Sequence, residues 1–238
     1  MELWFKAIKF NDIFYSIKAK KARLTSLTVY CNMNQALKSL LLAGFFSFAF
    51  CSCLPKKEEP STLYIQVPLV RQSTNYTCGV AAMQSLLAYY GDYWREDRLS
   101  KILRADSAQG TNYRNILSFC DSLGYHTKAF TNMSTDSLKH FVDQGYPMLL
   151  AIQAWSGAVP DYKNDWNNGH YVLCIGYDDD NYYFMDPSTL GNYTFIPAKD
   201  FEERWHDIDQ EGMKLYNFAL WIYKQEKKYE PGKILPMN

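Results

Sequence analysis

The chain has 238 residues with 25 basic and 25 acidic side chains, so its formal net charge is zero. That balance supplies no basic face to neutralise phosphates, which argues against a nucleic-acid binder. A hydrophobic content of 47% excludes wholesale disorder. No apolar run reaches the roughly 18 to 20 residues that cross a bilayer, and no repeat or Gly-rich phosphate loop is present.

From Met33 the sequence MNQALKSLLLAGFFSFAFCSC places Lys38 before a largely apolar stretch, Leu40 to Phe50, and small Ser52 before Cys53. This is the layout of a secretory signal. A Cys at the cleavage point resembles a bacterial lipoprotein signal, with Cys53 rather than Cys51 as the acylated residue, because Cys51 follows bulky Phe50. An ordinary cleaved signal or an uncleaved anchor is the alternative. Residues 1–32 do not suit a signal's n-region, so Met33 reads as the true start, with a cytoplasmic extension as the other account. Residues 53–63 read as a flexible tether, 64–225 as the domain and 226–238 as a tail. Removal of residues 1–52 leaves 18 basic and 23 acidic side chains. The picture is an acidic, extracytoplasmic, monomeric domain held at a membrane by lipid.

Along the domain, Val67 to Val70 predicts a short strand. CGVAAMQSLLAYYG predicts a helix from Cys78, with Val80, Met83, Leu87 and Tyr90 on one face and Gly91 as its cap. Residues 95–104 and 112–123 predict two more helices. His126 to Phe130 predicts a strand, and Ser134 to Gln144 a helix stopped by Gly145. The unbroken apolar run MLLAIQAW after Pro147 predicts a central, buried strand. Residues 156–169 form a long irregular loop, the kind that usually carries function. HYVLCIGY and YYFMDP predict two strands joined by a turn at DDDN. A helix near 198–205 and a strand from Leu215 to Tyr223 complete the domain. Helices first and strands later favour an α+β fold with a mostly antiparallel sheet.

Cys78 stands where a loop becomes a helix, a place where unpaired N–H groups and the helix dipole favour a thiolate nucleophile. His170 begins a strand, and Asp186 ends the next one, before Pro187. With the turn centred on Asp178 the two stand directly opposite; centred one residue later, they are diagonal neighbours. Either arrangement lets the carboxylate hold one imidazole nitrogen while the other faces a nucleophile. Gln72, six residues before Cys78, can join the Cys78 N–H in stabilising an oxyanion.

QSTNYTCGVAAMQSLLAYYG and GHYVLCIGYDDDNYYFMDP resemble the bacteriocin-processing, double-glycine cysteine peptidases over roughly residues 65 to 190. The resemblance implies a papain-like fold with Cys78 as nucleophile, His170 as base, Asp186 as its partner and Gln72 as oxyanion donor. It implies a peptide or protein substrate and no cofactor. Thr77 departs from the acidic residue that often precedes the nucleophile in that family, and this chain carries none of the membrane and ATP-binding domains of its transporter-linked members. The resemblance is closer to stand-alone relatives. The same site would also serve an amidase or acyl-transfer enzyme, and a non-catalytic peptide-binding or immunity-like lipoprotein is the rival from another class.

Gly79 and Gly169, beside the nucleophile and base, and Trp155 and Trp166, flanking the long loop, are the candidates for a substrate cleft. His126, His140 and His206 have no partner pattern and read as structural or surface residues. Asp178 to Asp180 read as a solvated turn, and no metal-ligand spacing appears. Cys174 is either a core residue or a disulfide partner of Cys120.

Overall fold

The computed structural model describes residues 64–155, 161–189 and 191–236. The signal, the acylation residue Cys53 and the tether lie outside them. In chain order the elements are α1 (Cys78–Tyr89), α2 (Glu96–Leu103), α3 (Tyr113–Ser122), β1 (His126–Phe130), α4 (Thr135–Asp143), β2 (Met148–Gln153), β3 (Gly169–Tyr177), β4 (Asn181–Met185), β5 (Thr194–Pro197), α5 (Ala198–Arg204), β6 (His206–Ile208), β7 (Lys214–Tyr216) and β8 (Ala219–Tyr223). Six strands form one sheet in the order β1-β8-β2-β3-β4-β5, and β6 and β7 form a separate hairpin. Every pairing is antiparallel. The expected α+β fold is observed.

Local chemistry explains the boundaries. Ser134 caps α4 by accepting from Ser137 N, and Asn112 caps α3 by accepting from Arg114 N. Gly91 and Gly145, with φ of 88° and 82°, end α1 and α4 in the left-handed region that a side chain disfavours. Eleven of the twelve residues of α1 are buried, so it is a central helix and not the one-faced helix its pattern suggested.

The sheet is covered on both faces. Met83, Leu86 and Leu87 of α1 join Leu149, Leu173 and Leu220 in one core. On the other face Leu138 and Val142 of α4 and Phe201 of α5 meet Met148, Leu150 and Val172. That double cover explains why β2 is apolar at nearly every position: all six of its residues are buried. Cys120 belongs to the first core and Cys174 to the second, and both are free thiols. The disulfide alternative is thereby excluded in favour of the packing one.

Three expectations need correction. Val67 to Val70 is not a strand. Its backbone is satisfied by side chains: Tyr193 Oη accepts from Val67 N at 3.0 Å and donates to Val67 O at 2.5 Å, and Ser85 Oγ donates to Pro68 O at 2.6 Å. The strand foreseen from Leu215 to Tyr223 is broken at Asn217, which adopts φ 45°, so that its two halves pair with different partners. The strands β5 and β6 were not foreseen. The tail is tied down in part, since Lys228 N and Tyr229 N both donate to Tyr89 O at the end of α1.

Candidate active site

Cys78 is the first residue of α1. The first turn of a helix leaves its N–H groups without intrahelical acceptors, so the Cys78 N–H is free for a ligand. Thr77 sits at the N-cap position but makes no capping bond. Its hydroxyl instead donates to Glu96 Oε1 at 2.9 Å, and the same oxygen accepts from Ser73 N and Ser73 Oγ, each at 3.0 Å. Glu96, at the start of α2, thus ties the loop that carries Gln72 to the start of the nucleophile helix. The carboxylate that Thr77 lacks is supplied from another element.

His170 reaches the site from the start of β3. Pairing of Leu173 with Met185, after an irregularity between Cys174 and Gly176, places Asp186 diagonal to His170. This is the second of the two registers considered, and it suffices: His170 Nε2 donates to Asp186 Oδ1 at 2.7 Å. Asp186 is itself held by the residues after Pro187. Ser188 N and Oγ donate to its Oδ1 at 2.8 and 2.9 Å, and Thr189 Oγ1 donates to Oδ2 at 2.8 Å. These two supports were readable as the short D-P-S-T turn but were not picked out.

The electrostatics follow from this packing. Burial disfavours a charged imidazole, yet the Asp186 and Cys78 partners outweigh it and raise His170 from 6.5 to about 9. For Asp186, burial pulls upward, but the His170 bond and charge and the Ser188 and Thr189 donors bring it down to about 2. The other imidazole nitrogen, Nδ1, is buried and has no hydrogen-bond partner among the described residues. The thiol of Cys78 acts on the same ring. One nitrogen is therefore spent on the carboxylate, and the other is left without a partner among the described residues.

A cleft of about 460 Å³ opens over Cys78 and His170, with Trp166 and Gly169 in its wall. Trp166 rests on His206 at 4.3 Å between ring centroids. Trp155 lines a different cavity, of about 240 Å³, on the Asp186 side of His170. Its ring lies 4.4 Å from the His170 ring and its backbone φ is 52°. It covers the His170 ring from that side. Gly79 does not line the cleft. A Cβ there would stand 2.8 Å from Thr111 Cβ and 3.0 Å from Tyr171 Cδ2, so its role is close packing under the nucleophile. Gly169 is small for a similar reason, because a Cβ would stand 2.6 Å from Asp207 Oδ2.

Gln72 is near the site but not engaged in it. Its backbone N–H donates to Pro187 O at 2.9 Å, which ties it to the residue after Asp186. One N–H of its amide donates to Thr74 O at 2.7 Å, and its Oε1 is buried without a partner among the described residues. It is not among the residues that line the Cys78 cleft. Asp207, in that wall, was not foreseen; only its place in the β6–β7 hairpin brings it there. Cys120 and Cys174 are pushed up to about 12 by burial, which leaves them unsuited to nucleophilic work. Asp178 Oδ1 accepts from Asp180 N and Asn181 N, so the acidic run is the expected turn. No cluster of potential metal ligands occurs among the described residues.

A Cys at a helix start, a buried His from the sheet and an Asp beyond it are the arrangement of a papain-like cysteine peptidase. The family model described as "Peptidase_C39 like family" matches residues 64–213, more than half of the chain, and the protein belongs to that family. Its enzyme class is cysteine peptidase. Among curated proteins, the chain is 24% identical over 155 residues to the transport/processing ATP-binding protein ComA of Streptococcus pneumoniae, covering 65% of this chain and 19% of the relative. The chain thus spans about a fifth of the length of the curated relatives it matches. Among solved structures, the peptidase domain of Streptococcus ComA aligns with a TM-score of 0.50 at 20% identity, over 68% of this chain and 99% of that one. A protein described as a C39-like peptidase from Bacillus anthracis aligns at 0.52 and 19%, over 68% and 96%. These likenesses carry the fold, and they agree with the resemblance drawn from the two motifs.

Proposed function

We propose that the protein hydrolyses peptide bonds outside the cytoplasm, tethered through an acylated Cys53, with Cys78, His170 and Asp186 as its catalytic set. The observation that carries the chemistry is the division of the His170 ring: Nε2 is bonded to Asp186, and Nδ1 is buried without a hydrogen-bond partner among the described residues, on a ring whose pKa the Cys78 thiol helps to raise. The anchor rests on residues 33–53 of the sequence alone.

In this scheme His170 Nδ1 takes the thiol proton, and Cys78 Sγ attacks the substrate carbonyl carbon. The oxyanion so formed accepts from the Cys78 N–H and from the second amide N–H of Gln72, the one that Thr74 leaves free. The C–N bond then breaks as the imidazolium gives its proton to the leaving amine. Water, losing a proton to His170, attacks the thioester and releases a carboxylic acid, and the thiol is regained. Asp186 keeps the ring oriented and stabilises its charged form throughout.

The test is product analysis with a peptide library and water labelled at oxygen. Hydrolysis places one labelled oxygen in a new C-terminal carboxylate, and Cys78→Ala abolishes it. A new amide in place of the acid would assign the site to acyl transfer. Cleavage that survives in Cys78→Ala would remove the reading.

A further inference from the structure

Among the described residues, two carboxylates line the Cys78 cleft, Asp207 and Asp209, and no Lys or Arg lines it. Asp209 is already paired: Arg114 holds its Oδ2 through both terminal nitrogens at 3.2 Å and also reaches Glu211 Oε2 at 3.1 Å. Asp207 has no ion-pair partner among the described residues. Its hydrogen-bond donors are neutral, Gln153 Nε2 at 3.1 Å and Ile208 N at 2.8 Å, and both are spent on Oδ1. Oδ2 has no donor among the described residues, and it lies against Gly169, the residue before the base. Gln153 is fully buried, and its Oε1 accepts from Asn168 N at 3.0 Å. The carboxylate is therefore held in a fixed orientation by a buried amide, with one oxygen in the cleft wall left without a protein donor among the described residues.

We propose that Asp207 is a specificity-determining residue that selects a positively charged substrate group, an ammonium or a guanidinium, bound beside the scissile carbonyl. An ionised carboxylate without an ion-pair partner in a part-buried wall is costly, and a substrate cation recovers that cost with a charge-assisted hydrogen bond. The cost is visible in the group itself. Burial raises Asp207 from 3.8 to about 6, against the Ile208 and Gln153 bonds and the His170 charge, which lower it. A neutral substrate leaves Oδ2 unpaired. The absence of a Cβ at Gly169 lets the carboxylate pack against that residue.

The inference rests on Cys78 being the reactive thiol, so its test reads that thiol directly. Chloroacetamides ending in an ammonium, at two chain lengths, are compared with hydroxyl-ended counterparts on the full protein at neutral pH and low salt. At one length, the charged reagent should alkylate Cys78 faster by roughly tenfold, the worth of one charged hydrogen bond. In Asp207→Asn, which keeps the Oδ1 acceptor, that preference should collapse to near unity. In Asp97→Asn, which removes an exposed charge on α2, the preference should persist. Equal rates in the parent protein would overturn the proposal whether or not the variant folds, as would an unchanged preference in Asp207→Asn. Failure of Cys78 to react with any of the reagents is a different result. It would remove the nucleophile assignment and this inference with it.

Discussion

His170 is the residue on which the proposed chemistry turns, because that chemistry gives each of its ring nitrogens a separate task. Its replacement by Ala removes general acid and base together and should lower kcat/KM by ~10²–10⁴-fold. Gln72→Ala tests a narrower point. If its amide serves the oxyanion, kcat falls by about 10²–10³-fold, while alkylation of Cys78 by a small reagent, which forms no oxyanion, stays at the parent rate. An equal loss in both measurements would make Gln72 a support of the loop rather than a donor. Glu96→Gln provides a companion test, since Glu96 Oε1 holds Ser73 and Thr77 on either side of the nucleophile loop. It should lower kcat with little change in the unfolding midpoint, because the loop is partly exposed and outside both cores.

At the scale of elements, Gly79 lets the start of α1 pack closely against Tyr171 of β3. Gly79→Ala forces a methyl group against Thr111 and Tyr171 and should cost about 1–3 kcal/mol by chemical denaturation, the usual price of overpacking. Leu86, fully buried in the middle of α1, should cost about 2–5 kcal/mol when replaced by Ala. The two changes differ in consequence. Leu86→Ala lowers stability and leaves the kinetics of the folded enzyme intact, whereas Gly79→Ala also shifts Cys78 and lowers kcat. The helices and the central strands were legible in the chain because α3 and α4 carry caps and β2 is continuously apolar. The strands that escaped notice lack such marks. β5 and β6 are only four and three residues long, and the hairpin that brings Asp207 to the cleft pairs across a loop with no apolar alternation. The three residues proposed as nucleophile, base and acid could be picked out because Cys78 precedes a periodic run and His170 and Asp186 bracket a readable hairpin. Glu96 and Asp207 meet the site only through tertiary packing, which no spacing along the chain encodes.

For the molecule as a whole, buried titrating groups tie stability to pH, and the signs can be worked out. His170 has a folded pKa of about 9, above its ordinary 6.5. Its contribution is complete below pH 6.5 and disappears as pH rises through about 9. Asp186, lowered from 3.8 to about 2, contributes above 3.8 and loses that contribution as pH falls through about 2. Asp207 runs the other way: raised from 3.8 to about 6, it favours the folded state most below 3.8 and loses that advantage as pH climbs through about 6. Urea titrations across pH should show an alkaline fall that His170→Ala flattens, and a shallower fall between about 4 and 6 that Asp207→Asn removes. The reading of the protein as membrane-tethered has its own check. Mass spectrometry of the mature protein should find an acylated Cys53 as the first residue; any other first residue contradicts the anchor.

The central claim is that Cys78 is a thiol activated by His170, and the most direct measurement is its alkylation rate. The protein is treated with iodoacetamide at neutral pH, the modified cysteines are mapped by mass, and the rate is compared with that of His170→Ala. Cys78 should react while buried Cys120 and Cys174 stay unmodified, and the Cys78 rate should fall at least roughly tenfold without the imidazole. A Cys78 rate that is the same with and without His170 would contradict the account.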